Sequence, residues 1–476
     1  MTGSHATYDV GPGRTYPTLT TVPILSLLPG DVVNLFYQPT PYATKLGIQA
    51  VGTAAEPIVI NGVTDANCHR PVITGVNAVE TTDSAVFWSA SAPSTVEGFG
   101  VIVFVWGPTQ PYATLPSYIT IQNIEVTGGK STNSYTNHAG NVVNYLSEGP
   151  SGIYCVACSY VTIQYDTVDG NDEGVFFNSQ DSARTSYYIT LRGNDIFANG
   201  QVGQELDHNI YVQGVRSLYE GNYIGAEISG AQGSSLKDRS SGAVIRYNYI
   251  EASLRAIDLV DTQISPEVLS DPLYNYAWVY GNVIVDNYAI GIGSGDLIHW
   301  GGDSQGDQSP SPSYHNGPLF FYFNTVVIEN DPSYERDGIF DMPSSQQSVQ
   351  ASNNIFYFTG NNPNTQVEFG ICCGTINLDD SNWISTGWNT SVEVGNTVTV
   401  TGTQALIQGT NPLLNADFTL SASSGSPVIG HGTAGPTSVP NAAANLQNLQ
   451  VTAEYSSKAN IVSRPNVHDL GAYAAH

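Results

Sequence analysis

The residues best suited to chemistry lie in one stretch near the middle of the chain. Five of the fourteen basic residues fall between positions 216 and 255. They are Arg216, Lys237, Arg239, Arg246 and Arg255. Carboxylates and other titratable groups accompany them, namely Asp172, Glu173, Asp207, His208, Tyr211 and Asp258. A lysine beside guanidinium groups can serve as a base, and paired carboxylates can act as acid, base or nucleophile. The stretch therefore suits proton transfer on a bound substrate.

A repeated sequence pattern predicts the structural elements that position these residues. A short run of β-branched or aromatic residues is followed by an asparagine and then by a second short run. The asparagines recur at intervals of roughly 30 residues. They are Asn194, Asn222, Asn248, Asn282, Asn324 and Asn354, with Asp166 in the same place. Several short strands per irregular repeat predict a parallel β-solenoid. Asparagine tolerates the bend and can hydrogen-bond its counterpart one coil away, which predicts an asparagine ladder.

Alternation within the strands predicts which side chains point outwards. The apolar residues of four successive coils read as inward, namely Val175, Phe177, Ile210, Val212, Leu236, Ile257 and Leu259. Period two then places Phe176, Tyr211, Lys237 and Asp258 outward at one level. Parallel strands stack about 4.8 Å apart, so these side chains should form a contiguous column. Asp207, Asn209, Ser235, Arg239 and Ala256 should flank it. The ordinary alternative is a structural surface ion pair between Lys237 and Asp258.

Composition limits the partners and the compartment. The formal net charge of −27 repels nucleic acid and anionic membranes. No apolar run resembles a membrane span, and residues 1–10 carry no signal-peptide pattern. The Ser-, Thr- and Asn-rich, Lys-poor composition favours a secreted or periplasmic protein whose signal peptide has been removed. Five cysteines cannot all pair, and Cys155 and Cys158 are expected to form a local disulfide or a packed thiol pair, not a zinc site.

The 476 residues exceed what one compact core usually holds, about 250–300 residues, but repeat folds escape this limit. We therefore predict an all-β chain that forms a single, continuous right-handed parallel β-helix. Residues 1–80 should form the entry coils, 81–412 the central helix and 413–476 the closing coils. A loop insertion is expected near residues 301–318.

Phrases at both ends, such as Tyr8-Asp9-Val10-Gly11-Pro12-Gly13 and Ser424-Gly425-Ser426-Pro427-Val428-Ile429, resemble pectate-lyase-like β-helix proteins. The segment that carries Lys237, then Ser-Gly, then Arg246-Tyr-Asn is similar to polysaccharide lyases of the alginate and chondroitin-lyase type. The resemblance implies that Lys237 is the base that takes the C5 proton of a uronic acid. It also calls for an Arg-His-Gly on the next coil. Here that coil reads Arg255-Ala-Ile-Asp258, so Arg255 is the nearest candidate.

Two chemistries fit the column, and we expect a secreted polysaccharide lyase acting by β-elimination. The candidate catalytic residues are Lys237, Arg239, Asp258, Tyr211 and His208, with Tyr211 or His208 protonating the leaving oxygen. The candidate substrate-binding residues are Asp207, Asn209, Arg255, Asp172, Glu173, His299 and Trp300, the last as a sugar-stacking platform. The alternative is a glycoside hydrolase that uses two of the carboxylates Asp207, Asp258, Asp172 and Glu173.

A third alternative is a solenoid that binds glycan without catalysis, since this fold carries many functions. No cofactor is required by any of these hypotheses. Ca²⁺ could bind at the acidic residues Asp169, Asp172, Glu173 and Asp181. The expected partner is a polysaccharide or oligosaccharide, and the sequence does not predict an oligomeric state.

Overall fold

The computed structural model describes residues 5–83, 96–105, 115–263, 265–287, 296–303, 310–329, 336–359, 366–378, 381–389, 398–435, 449–457 and 460–476. Within these ranges the chain forms a right-handed parallel β-helix with one α-helix, Pro266–Ser270. Short 3₁₀ turns lie at Leu19–Thr21, Ile24–Ser26, Val96–Phe99 and Thr403–Ala405. The predicted fold class is confirmed. The three-part division of the chain stays a prediction, and residues 304–309 of the expected loop insertion lie outside the described residues.

Three long sheets, here named A, B and C, form the faces of the helix. Sheet A stacks Thr7–Val10, Val32–Phe36, Ile58–Val63, Ser117–Gln122, Ser159–Gln164, Tyr187–Arg192, Val215–Glu220, Val244–Arg246, Ala277–Tyr280, Pro318–Tyr322, Ser348–Ser352, Thr375–Asn377 and Thr399–Thr401. Sheet B stacks Val142–Asn144, Ser134–Thr136, Ala78–Glu80, Thr44–Ile48, Gly100–Phe104, Ser151–Val156, Glu173–Asn178, Ile210–Val212, Ser234–Asp238, Arg255–Leu259, Asp296–Trp300, Arg336–Met342 and Gln366–Cys372. Sheet C stacks Val72–Thr74, Glu125–Thr127, Thr167–Asp169, Asp195–Phe197, Tyr223–Ile224, Tyr249–Glu251, Val283–Asn287, Thr325–Glu329, Ile355–Phe358, Asn382–Ser385 and Leu406–Gly409. An antiparallel hairpin, Ala453–Ser457 with Asn460–Ser463, lies near the C-terminus.

The asparagine ladder runs between sheets A and C. From Asn194 to Asn354, each side-chain amide donates to the Oδ1 of the ladder asparagine on the next coil, ending on Asn382. The first of these bonds, from Asn194 to Asn222, is 3.0 Å long. Asp166 occupies the start of the ladder, and its main-chain N–H donates to Asn194 at 3.0 Å. These hydrogen bonds satisfy the polar groups buried at the bend.

The interior is filled by the residues that alternation predicted as inward. All seven are essentially inaccessible and belong to one continuous apolar core. A second, shorter ladder joins Asn171, Asn199 and Asn209 at the start of sheet B. The sequence analysis did not predict this second ladder. It links the turns that lead into the strands Glu173–Asn178 and Ile210–Val212 of the sheet that carries the outward column.

The C-terminal segment from Leu449 onward, here called the C-terminal arm, folds back over the outer face of sheet A. Tyr322 donates its hydroxyl proton to the main-chain oxygen of Leu449 at 2.5 Å, and Thr452 N–H donates to the Tyr247 hydroxyl at 3.0 Å. Val451 packs among the aromatic side chains there. Among the described residues, the arm therefore covers the coils of sheet A that carry Tyr247 and Tyr322.

Cys155 and Cys158 form a disulfide, as one of the two sequence alternatives expected, and Cys372 pairs with Cys373. Cys68 is exposed and unpaired. Among the helices of the described ranges, none is long and apolar enough to cross a membrane.

Candidate functional site

One outward column on sheet B carries the candidate site. Strand register stacks Tyr154, Phe176, Tyr211, Lys237, Asp258, His299 and Asp341 in this order. The predicted column is thus confirmed and is longer than predicted. Its first three members, the aromatic half, have stacked rings with centroids 5.0 and 4.9 Å apart. The remaining four form the charged half.

Asp258 is the centre of the charged half. Its Oδ2 lies 2.8 Å from Lys237 Nζ, and its Oδ1 lies 3.0 Å from His299 Nδ1. Burial acts to raise the pKa of Asp258, yet the Lys237 ammonium and His299 outweigh burial and hold this pKa well below its usual range. Asp258 is therefore an ionised carboxylate whose oxygens are already engaged.

Lys237 and Arg239 converge on a carboxylate from a neighbouring loop. Asp303 Oδ1 lies 3.0 Å from Lys237 Nζ, and Asp303 Oδ2 accepts a hydrogen bond from Arg239. The Asp303 side chain is 43 % exposed, whereas Arg239 is buried. Burial acts to raise the pKa of Asp303, but the two cations lower it overall. We call Lys237 and Arg239 the anion site, because two buried cations hold one accessible carboxylate.

A cavity of about 540 Å³ opens beside the anion site. Its lining includes His208, Lys237, Arg255, Asp258, His299 and Asp303. Arg255 donates through Nε to Asp296 Oδ2 at 2.5 Å, so its charge is neutralised within the wall. The cavity thus presents cations, carboxylates and imidazoles to one partly open space.

His208 and Tyr211 differ in the proton that each can supply. The main-chain N–H of Ser234 donates to His208 Nδ1 at 2.8 Å, so the neutral ring carries its proton on Nε2. Burial, aided by Lys237, lowers the pKa of His208 to about 3. Burial raises the pKa of Tyr211 to about 12. At neutral pH, His208 is a neutral hydrogen-bond donor and Tyr211 is a protonated phenol.

A carboxylate cluster lies on the coils before Lys237. Glu173, Asp207 and Glu227 are buried, and each has a carboxylate oxygen without a hydrogen-bond partner. Burial raises the pKa of Asp207 to about 6, with Asp172 adding to the effect, and raises that of Glu173 well above its usual range. Glu173 and Asp207 line a cavity of about 230 Å³ together with Tyr154 and Phe176. Glu173 and Asp207 therefore keep their protons at pH values at which ordinary carboxyl groups are ionised.

The residues expected to hold Ca²⁺ are only partly brought together. Asp172 and Glu173 join the carboxylate cluster, whereas Asp181 pairs with Arg184 in a turn and Asp169 ends a strand of sheet C. Among the described residues, the group with metal-compatible spacing is Asp258, His299 and Asp303, whose ligand atoms lie within 4.8 Å of one another. The Lys237 ammonium contacts both of its carboxylates and already supplies a positive charge there.

Several sequence expectations are wrong in detail. Trp300 is not a sugar platform: it pairs in register with inward Leu259, is 1 % exposed and donates to the main-chain oxygen of Gly317. Asn209 cannot bind substrate because it is fully buried in the second ladder. Ser235 and Ala256 are also buried and do not flank the column. The Lys237–Asp258 pair is not a surface ion pair, since both side chains are buried.

Four residues of the site were missed or left unassigned. Asp296 begins the strand Asp296–Trp300, Asp303 follows that strand, Glu227 lies between two strands, and Asp341 lies on the coil after His299. Burial raises the pKa of Asp341 to about 6, and its Oδ2 lies 4.0 Å from His299 Nε2. Asp341 could have been found by continuing the outward register for two more coils.

The chain is similar in structure to pectate lyase Pel9A, with 12% sequence identity, a TM-score of 0.43 and coverage of 100% of this chain and 97% of that one. It is also similar to the GH136 lacto-N-biosidase from Eubacterium ramulus, with 11% identity, a TM-score of 0.39 and coverage of 83% and 68%. No family model matches the chain, and no curated protein matches it. Neither structural likeness decides the chemistry, which rests on this chain's own residues.

Proposed function

We propose that the protein is a secreted enzyme that cleaves a uronate-containing polysaccharide by β-elimination at the charged half of the column. The observation that carries this proposal is the anion site, where Lys237 and Arg239 hold the half-exposed carboxylate of Asp303. In this chain of net charge −27, Lys237 lines the cavity and shares the Asp303 carboxylate with Arg239, so an anionic group that enters the cavity can compete with Asp303 for both cations. The carboxylate of a uronic acid would take the place of Asp303.

The elimination assigns one task to each group. Arg239 pairs with the substrate carboxylate and stabilises the negative charge that develops when the neighbouring C5 proton leaves. Lys237, with its proton given up, takes that C5 proton. The C5–H electrons form the C4–C5 double bond, the C4–O bond breaks, and the leaving oxygen takes a proton from Tyr211.

The experiment is a screen of uronate-containing polysaccharides read in two ways. Elimination gives products that carry the ultraviolet absorbance of a 4,5-unsaturated uronide. Hydrolysis releases reducing ends without that absorbance, and a binding solenoid releases nothing. An absorbing product from at least one acidic polysaccharide supports the proposal. Cleavage without absorbance would contradict it.

Lys237→Arg tests the assigned base. Arginine keeps the positive charge between Asp258 and Asp303 but is a far poorer base. Turnover should fall by roughly 10²–10⁴, the usual contribution of a general base. The melting temperature, followed by circular dichroism, should change little. Near-full turnover of the variant would remove Lys237 from the mechanism.

Hydrolysis remains a second candidate because of the carboxylate cluster. A carboxyl that keeps its proton near neutral pH suits a general acid, and Asp207 has such a raised pKa beside its own cavity. In that case Asp207→Asn would abolish release of reducing ends, whereas Lys237→Arg would not.

Calorimetric titration with Ca²⁺ tests whether the same carboxylates bind a cation instead. Tight binding that Asp207→Asn removes would make the cluster a cation site and argue against its role as an acid.

A further inference from the structure

A third cavity lies on the outer face of sheet A, apart from both cavities of sheet B. It measures about 300 Å³, and its lining includes Tyr188, Arg192, Arg216, Gly242 and Arg246. Three of the fourteen basic residues of this acidic chain therefore meet at one cavity. None of them takes part in the proposed elimination.

The ion pairs around this cavity leave it positively charged. Arg192 Nε donates to Glu220 Oε1 at 2.8 Å, and Arg246 Nε donates to Glu220 Oε2 at 2.6 Å. One carboxylate thus serves two guanidinium groups. Arg216 pairs separately with Asp271. Among the described residues, these ion pairs join the three arginines to two carboxylates, and the Arg192 side chain is 40 % exposed, so a further anion can approach Arg192.

The cavity exists because a column of side chains stops at a glycine. Tyr118, Tyr160, Tyr188 and Arg216 occupy equivalent positions of successive strands, and Gly242 follows Arg216. A Cβ at Gly242 would lie 3.2 Å from Arg216 Nη1 and 3.1 Å from Leu273 Cβ. A larger side chain at Gly242 would therefore fill the space into which the arginines point.

The tyrosines that lead to the cavity hold an unusual backbone conformation. Tyr118, Tyr160 and Tyr188 have φ angles of 53°, 54° and 55°. Bulky residues seldom adopt such positive φ angles, which cost conformational energy. Tyr160 and Tyr188 are 41 % and 47 % exposed, with ring centroids 4.7 Å apart, whereas Tyr118 is half-buried. The fold thus accepts a backbone cost at each of the three tyrosines, and two of them face solvent.

Between the tyrosines and the opposite edge runs a strip of hydroxyl and amide groups. Its members are the outward side chains Thr120, Thr162, Thr190, Gln122 and Gln164. Gln164 donates to Gln122 at 2.7 Å along the edge that continues to Arg192. Such groups can hydrogen-bond the hydroxyls of a sugar chain. The strip ends at Gly221, which lies beside Ile461 of the C-terminal arm.

We propose that this strip, the tyrosines beside it and the arginine-lined cavity together form a second polysaccharide-binding surface, which holds an acidic chain away from the cleavage site. A carboxylate or sulfate of the polymer would bind Arg192 and Arg246, and its sugar rings would lie along Thr190, Tyr188 and Tyr160. The inference rests on the proposed function only for the class of ligand. Its geometry is independent of Lys237, Arg239 and the charged half.

Native affinity electrophoresis tests the proposal with the full chain. Gels that contain polygalacturonate or alginate offer carboxylates, gels with dextran sulfate offer sulfates, and dextran is the neutral reference. The matched variants are Arg192→Gln and Arg14→Gln, which each remove one positive charge; Arg14 lies over the Phe36 ring near the N-terminus, outside the cavity. Wild type should be retarded in at least one acidic gel. Arg192→Gln should weaken binding at least about fivefold, and Arg14→Gln should bind like wild type.

Tyr160→Ala supplies a second variant without a charge change and should weaken the same binding. The proposal is overturned if Arg192→Gln binds like Arg14→Gln, or if wild type migrates alike in acidic and neutral gels. A chain that shows Arg192-dependent retardation but forms no unsaturated product would keep the second surface and lose the proposed elimination. The two proposals therefore fail in different measurements.

Discussion

Buried carboxyl groups on nearby coils of sheet B have pKa values that are shifted in opposite directions. Asp258 lies against the Lys237 ammonium and His299, and its pKa is held low. Glu173 and Asp207 lie about as deeply, but no ion pair joins them to a cation in the described part of the chain, and burial raises their pKa values. Asp258 belongs to the outward column, Glu173 begins its strand and Asp207 precedes the next strand, so buried positions along one sheet supply either a fixed charge or a proton. Partners one coil away, not burial alone, decide which of the two is present.

The two regions should also respond to pH with opposite sign. A lowered pKa means that Asp258 stabilises the fold above the pKa of an unfolded aspartate, and this contribution is lost as pH falls towards the folded pKa. A raised pKa means that ionising Asp207 costs stability, and this cost accrues as pH rises from about 4 to about 6. The ionised Asp258 therefore contributes most to stability above the acidic pH range, whereas Asp207 costs least stability within that range, where it keeps its proton.

Asp258→Asn should give the largest effect. The amide leaves the buried Lys237 with only Asp303 as an ionic partner and removes the negative charge beside His299. Breaking a buried ion pair costs about 3–5 kcal/mol of unfolding free energy. Urea denaturation at pH 7 measures this value. A loss below about 1 kcal/mol would show that the pair behaves like an exposed one.

Asp207→Asn is the same chemical change with the opposite expected sign. At pH 7 the variant no longer ionises a buried carboxyl, so its unfolding free energy should rise by about 1–3 kcal/mol, corresponding to a shift of one to two pKa units. Near pH 4 the wild-type carboxyl is protonated and the two proteins should be equally stable. Melting temperatures across pH 4–7 provide the measurement. A difference independent of pH would mean that Asp207 titrates as an ordinary carboxyl.

Asp303→Asn should have the smallest effect on stability, within about 1 kcal/mol, because its side chain is partly exposed. Its effect on substrate binding should be larger. The variant weakens the internal competitor for the anion site, so the KM for an acidic polysaccharide should fall. An increased KM would instead identify Asp303 as a group that positions Lys237 and Arg239 for the substrate.

The sequence predicted the column because its determinants are local and periodic. Alternation around Val175 and Phe177 fixes which way Phe176 points, and the ladder asparagines keep successive coils in phase. Asp303 and Asp296 could not be placed in the same way, since Asp303 lies outside the strands and Asp296 begins a strand after a segment between coils whose length varies. Trp300 was misassigned because His299 and Trp300 are adjacent, and only the strand register shows which of the two points inward. The buried environment of Lys237 likewise depends on a loop carboxylate that no period predicts.

The C-terminal arm has a consequence for how the molecule comes apart. A solenoid can lose its terminal coils one at a time, because each coil contacts only its neighbours. The arm contacts Tyr247 and Tyr322, which belong to separate coils, and Ala472 N–H further along the chain donates to Thr325 Oγ1 at 3.0 Å. The coils from Tyr247 to Thr325 cannot separate from one another until the arm itself has been released. Unfolding should therefore start from the N-terminal coils. The rate at which the arm is released should set the lifetime of the coils that the arm contacts.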